Sequence, residues 1–257
     1  MEKAGVNFAC STRVTGFDID NKGSKRIKSV KCKAKDGSTQ EFAADDVIFA
    51  VGAKALNALA TFCPELSCHE EFRRFGNLRG TSVLATRVFL DRNVTIPYSA
   101  NACWGFDEAV GMTMFDIRTL HGNDADTVKD APGSVIEVDY YHANRILIMN
   151  DEDIVAKVKS DLDTILGIPC KKARVVDAAI VRLPEGVNWY FPGSYKDMPQ
   201  VKSSSLRNVY FAGDIVKTRH GESFQSWKSR LSKSACFSCN HSYFYRILVT
   251  RESVRNR

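Results

Sequence analysis

Two short runs constrain this chain more than any other feature: VIFAVG at 47–52 and VYFAGD at 209–214. Each is a continuous apolar stretch closed by glycine, without the polar alternation of a strand that has one wet face. A continuous run is what a strand buried on both faces looks like, as in the middle of a parallel sheet. After Gly52, AKALNALA shows helical periodicity through Leu56 and Leu59. Buried strand, glycine, then helix predicts an α/β fold.

The flanking sequence predicts two textures. Residues 11–52 read as three consecutive strands. The first carries Val14, Phe17 and Ile19 and ends at Asp20-Asn21-Lys22-Gly23. The second carries Ile27, Val30, Cys32 and Ala34 and ends at the hairpin signal Asp36-Gly37. The third runs from Thr39 to Gly52. From about 81 to 205 the pattern changes. SVLATRVFL and SVIEVDYYH read as strands rich in β-branched and aromatic residues. NDEDIVAKVKSDLDTILG reads as an amphipathic helix with Ile154, Val158, Leu162 and Ile165 on one face, acids in its first turn and Gly167 at its end. ARVVDAAIVRLP reads as a strand closing at Pro184, which together suggests an α+β layer distinct from the first region.

Composition limits the function classes. The 257 residues suffice for one large domain or two modest ones, and 44% hydrophobic with 26% charged residues is ordinary for a globular chain. No run reaches the roughly 18–20 apolar residues of a membrane helix, so no transmembrane segment is expected, while peripheral contact with a membrane stays open. The net charge of +6 is concentrated at the end: from Glu222 onward there are seven Lys/Arg and two acids, so the first 221 residues carry +1. The body therefore has no stripe for tracking phosphates, and no nucleic-acid partner is expected. Lys25, Arg26, Lys28, Lys31, Lys33 and Lys35 alternate as a solvated strand face does. The eight cysteines are irregularly spaced and read as reduced, mostly buried residues rather than a disulfide framework. The N-terminus has no apolar signal-peptide region, and nothing in the chain fixes a compartment.

The chemistry-bearing candidate is Ala212-Gly213-Asp214. In open parallel sheets ligands sit beyond the carboxyl ends of the strands. There Gly213 would allow close backbone approach, and Asp214 could accept hydrogen bonds from ribose or ribityl hydroxyls. A Gly-Asp pair after a strand is also common turn punctuation. His220 could serve as an acid or base, or be a polar loop residue beside Arg219. Cys236 and Cys239 form half of a zinc-type spacing, with His241 nearby and a second half that would have to come from somewhere like Cys63, Cys68 and His69; ordinary thiols are the better reading, and no metal is expected. Trp189, Tyr190 and Phe191 read first as core, and second as the lining of an apolar cavity.

NVYFAGD resembles the C-terminal flavin-contacting motif of the amine oxidase and carotenoid (phytoene) desaturase superfamily of FAD-dependent oxidoreductases. RVTGFDID, ADDVIFAVGAKAL, SVLATRVFLDRNV and VVDAAIVRLPEGV followed by FPG fall in that family's order, and the resemblance covers residues 6–221. It implies FAD as cofactor and hydride removal from a mainly hydrophobic or amine substrate. It also implies site roles: the Val14 backbone meeting the adenine, Gly52 ending the strand whose loop passes over the dinucleotide, and Gly213 and Asp214 near the pyrophosphate and ribityl chain. The fold so implied is a partial FAD-binding, Rossmann-like sheet with an inserted α+β substrate domain. Its expected divisions are a partial FAD-binding region at 1–80, a substrate domain at 81–205, a flavin-contacting strand and turn at 206–221, and a divergent basic tail at 222–257. Two departures accompany the resemblance. No Gly-x-Gly-x-x-Gly occurs anywhere in the chain, although that turn opens the family's dinucleotide site. Past Gly221 the family's small-residue helix is replaced by a sequence of different character. The chain thus resembles the C-terminal part of a longer enzyme, or a non-catalytic remnant or binding module without flavin.

Overall fold

The structure, a computed structural model, describes residues 7–107, 110–123, 125–126, 128–217 and, as backbone only, 246–250. The chain divides into two compact units, Met1–Gly80 with Asn188–Arg257, and Thr81–Val187.

The first unit holds two three-stranded sheets. Strands β1 (Thr12–Asp20), β2 (Arg26–Ala34) and β3 (Thr39–Ala43) form an antiparallel sheet in that order. The turn between β1 and β2 is organised by Asp20, whose carboxylate accepts from the Gly23 and Ser24 amides at 2.8 and 3.0 Å. A β-carbon on Gly23 would lie 2.7 Å from that carboxylate, so a side chain there would displace the carboxylate. The β2–β3 hairpin turns at Gly37, with φ +91°. On β2, Ile27, Val30 and Cys32 are buried while Lys28, Lys31 and Lys33 are exposed, the solvated basic face expected of the alternation.

The third expected strand is two strands. The chain leaves the antiparallel sheet after Ala43 and enters the second sheet as β4 (Asp46–Ala50). The break between them is held from a distance. The buried Asn208 side chain donates to the Ile27 and Asp45 carbonyls at 2.9 and 2.8 Å and accepts the Ile27 amide at 2.9 Å. β4 is the central strand: β10 (Val209–Phe211) pairs with it in parallel, and β11 (Arg246–Thr250) antiparallel. Helices α1 (Ala53–Phe62), α2 (Pro64–Ser67) and α3 (Glu70–Phe75) follow β4. Phe17, Phe49, Phe72, Phe75 and Phe211 join one aromatic core, with the Phe49 and Phe211 rings stacked at 5.6 Å. Such rings each bury on the order of 150–250 Å². The two apolar runs singled out in the sequence are therefore neighbours whose side chains meet.

The second unit is built on a five-stranded sheet of β5 (Gly80–Leu90), β6 (Ala100–Cys103), β7 (Gly111–Asp116), β8 (Val135–Tyr141) and β9 (Val175–Asn188), in the order β6-β7-β8-β5-β9. Helix α4 (Ile117–His121) is capped by Asp116, which accepts from the Arg118 and Thr119 amides. The long helix α5 (Asp151–Leu166) is followed by α6 (Ile168–Lys171). α5 is capped by Asn150, which accepts the Asp153 amide at 2.8 Å, and ends at Gly167 with φ +73°. Its Ile154, Val158 and Leu162 are buried in the core of this unit. β9 does not close at Pro184 as the sequence predicts but continues to Asn188. It is an edge strand, where a residue without an N–H costs the sheet little. The chemical result is a mixed α/β fold: a parallel β4–β10 pair of partial Rossmann type, joined in sequence to a larger α+β layer.

Candidate functional site

Parallel pairing places the ends of β4 and β10 at one edge. The register runs Val209 opposite Val47 to Phe211 opposite Phe49, and the Ala212 amide extends the ladder to the Phe49 carbonyl at 3.0 Å. Two residues past the strands, Gly52 and Gly213 therefore leave the sheet on the same side. Gly52 is the N-cap of α1 in extended conformation. No side chain caps this helix and its first turn carries no acid. Its N-terminal amides and the positive end of its dipole thus emerge at the strand edge.

Gly213 has φ +110°, and nothing lies within 4 Å of where a β-carbon would stand. The glycine is required by its backbone angle rather than by crowding. Asp214 follows. Its carboxylate accepts the Asn188 amide at 2.7 Å, and its carbonyl accepts the Tyr190 hydroxyl at 2.6 Å. The residue as a whole is exposed. Desolvation pushes its carboxyl above the usual carboxylate range, opposed by the amides of Asn188, Asp214 itself and Ile215.

Of the four residues named from sequence, this edge brings together Gly52, Gly213 and Asp214. Val14 lies half-buried on β1, opposite Cys32 and against the core of the first unit, and strand pairing does not bring it to that edge. Asn188 is a participant that the sequence reading missed. It is 3% exposed, and neither atom of its side-chain amide has a hydrogen-bond partner. Such a group costs roughly 1–3 kcal/mol when left unmet. A single asparagine at the end of a strand gives no periodic or spacing signal that would have found it.

The aromatic cluster is not core, contrary to the first reading of it. Trp189 and Tyr190 are 41% and 62% exposed. They lie on a short surface run pinned by the Trp189 amide to the Arg79 carbonyl at 2.9 Å, with the Arg79 guanidinium 5.6 Å from the Phe191 ring. His220, Cys236, Cys239, His241 and the basic tail lie outside the described residues, β11 apart. Among the described residues no group of three or more His, Cys, Asp or Glu side chains could hold a metal ion, and no helix is long and apolar enough to cross a membrane.

A parallel strand pair whose glycine-terminated ends open beside an uncapped helix is a partial Rossmann-type arrangement within a mixed α/β fold. The family described as flavin containing amine oxidoreductase matches residues 1–226, and the chain belongs to that family. No curated protein matches it in sequence. Among solved structures, a putative protoporphyrinogen oxidase from Exiguobacterium sp. 255-15 is similar at 15% identity and a TM-score of 0.50, over 80% of this chain and 42% of that one. An oxidoreductase from Methanosarcina mazei is similar at 17% identity and TM-score 0.47, over 80% and 44%. Cyclohexylamine oxidase from Brevibacterium oxydans IH-35A is similar at 10% identity and TM-score 0.49, over 79% and 42%. The chain spans less than half the length of each of these proteins.

Proposed function

We propose that this chain is the C-terminal portion of an FAD-dependent oxidoreductase that removes hydride from a mainly hydrophobic or amine substrate. The observation that carries the reading is the β4–β10 register, which sets Gly52, Gly213 and Asp214 along one strand edge. The residues there fit the cofactor. Gly213 leaves open space where any side chain would stand, α1 offers an uncapped N-terminus to a pyrophosphate, and Asp214 is an acceptor for a sugar hydroxyl. FAD, when bound, supplies a ring that takes up hydride from a C–H bond. The protein's own share is orientation. The Asn188 amide and Tyr190 hydroxyl fix Asp214 from both ends, and its carboxylate would then hold the ribityl hydroxyls in one register. Val14 would meet the adenine through its backbone, as the family resemblance implies.

The missing Gly-x-Gly-x-x-Gly favours a second reading, in which the chain by itself is a binding module or remnant without flavin. One experiment separates the two. The purified chain is titrated with FAD while flavin absorbance near ~450 nm and fluorescence are followed. Saturable binding that weakens about tenfold or more in Asp214→Ala supports the cofactor reading, since charged or short hydrogen bonds carry roughly 1.5–3 kcal/mol. A folded, colourless chain indifferent to FAD overturns it for this chain.

A further inference from the structure

The opposite end of the same strand pair carries a second polar recess. Immediately before β10, the loop KSSSLR at 202–207 lines a cavity of about 490 Å³ together with Lys25 and His69. Lys25, Lys202 and Arg207 are exposed there, and none of them forms an ion pair among the described residues. The acid beside them, Glu71, is 5% exposed and already committed. It accepts the Ser203 hydroxyl at 2.6 Å and the Ser204 and Ser205 amides at 3.0 and 3.1 Å. Glu71 therefore shapes the loop from beneath. The hydroxyls of Ser204 and Ser205 donate to no acceptor among the described residues.

The backbone that carries the cations is held in place. Lys25 sits at φ +51°, its amide bonded to the Asp20 carbonyl at 2.9 Å and its carbonyl accepting the Arg207 amide at 2.8 Å. Lys25 and Arg207 are thus fixed side by side. Lys202 forms a bridge to Tyr210, with its ammonium 5.9 Å from the ring centroid. The next residue, Asn208, locks the loop to Ile27 and Asp45. Three like charges carried by the lining of one recess repel one another unless an anion joins them. Cations plus free hydroxyls are the donor set for tetrahedral oxyanions.

We propose that this recess is an anion site that takes the phosphate group of a small molecule through Lys25, Lys202, Arg207 and the hydroxyls of Ser204 and Ser205. It lies before the N-terminal end of β10, whereas Gly213 and Asp214 follow its C-terminal end, so the two sites are separate and neither requires the other.

The test uses the full chain and inorganic phosphate, titrated at constant ionic strength against chloride, with binding read by calorimetry and thermal shift. Saturable phosphate binding is expected. Lys25→Asn and Arg207→Gln should each weaken it about tenfold, the loss of one charge-assisted bond. Asparagine suits the positive φ of residue 25, which keeps that variant folded. Lys129→Gln, a charge loss in the other unit, should leave affinity unchanged. Absence of saturable binding, or equal affinity in all three variants, overturns the proposal. Binding only to phosphatidic acid vesicles and not to free phosphate also overturns it, in favour of a lipid surface.

Discussion

Gly213 and Asp214 close the buried run of β10, and Asp214 is held by partners 24 and 26 residues away in the chain, the Tyr190 hydroxyl and the Asn188 backbone amide. The two residues predict different phenotypes. Gly213→Ala meets no atoms but forces φ +110° on a side-chain-bearing residue. It should cost about 1–3 kcal/mol of stability in denaturant titration. Asp20 shows how a turn residue reports itself by titration. The Ser24 and Gly23 amides hold its carboxyl down from 3.8 to about 2. The unfolded chain therefore binds the extra proton between those values. The stability from this turn is fully present above the unfolded value and is lost as pH falls through about 2. An NMR titration should find this carboxyl among the lowest in the chain, and Asp20→Asn should flatten the stability curve in that window. Asp214 has the opposite sign: its folded carboxyl is raised, so its contribution declines as pH rises through the raised value.

Among the elements, α5 was the most legible because local signals agree along its length. Apolar positions repeat at helical spacing, acids occupy the first turn, Asn150 caps one end and Gly167 closes the other. β6 was not seen. Its four residues alternate between exposed and half-buried with only Cys103 buried, so no apolar face is written in the sequence. The β3–β4 break was also invisible, because Ala44-Asp45 is no turn signal and Asn208 imposes the break from far along the chain. The packing of α5 gives two measurable expectations. Leu162 is fully buried, and Leu162→Ala should cost about 2–5 kcal/mol through the cavity it leaves. Asn150→Ala removes the cap and an exposed side-chain bond to Asp153, and should cost about 1 kcal/mol. The helix is also tied to β8 by the buried Tyr140 hydroxyl, which donates to Asp161 at 2.6 Å. Burial first, then that carboxylate, pushes the Tyr140 hydroxyl far above its ordinary range. It therefore remains a neutral donor throughout the accessible pH range. Equilibrium unfolding of the three proteins side by side checks the order, with Leu162→Ala the least stable.

At the scale of the molecule, the chain leaves the first unit after Gly80 and re-enters it at Asn188. Two hydrogen bonds make that path a clean insertion. Within the first unit the Arg79 carbonyl accepts the Trp189 amide at 2.9 Å, so exit and re-entry are adjacent. Within the second, the Ser82 hydroxyl meets the Glu185 amide at 3.2 Å, and β5 and β9 are neighbours in one sheet. Each core is also its own. The cluster around Phe49, Leu56 and Phe211 draws only on the first unit, and that around Leu84, Tyr140 and Leu162 only on the second. A segment whose ends meet and whose core is self-contained can be removed without leaving a long loop to close, and closure entropy grows only slowly with the few residues needed. Replacing Thr81–Val187 by two glycines should therefore give a folded first unit that unfolds cooperatively, with ring-current-shifted signals from the stacked Phe49 and Phe211. The same protein should retain phosphate affinity at the Lys25–Arg207 recess, because every residue of that recess belongs to this unit. A spliced chain without cooperative unfolding, from a parent that unfolds cooperatively, would show that the first unit depends on the inserted one for its stability.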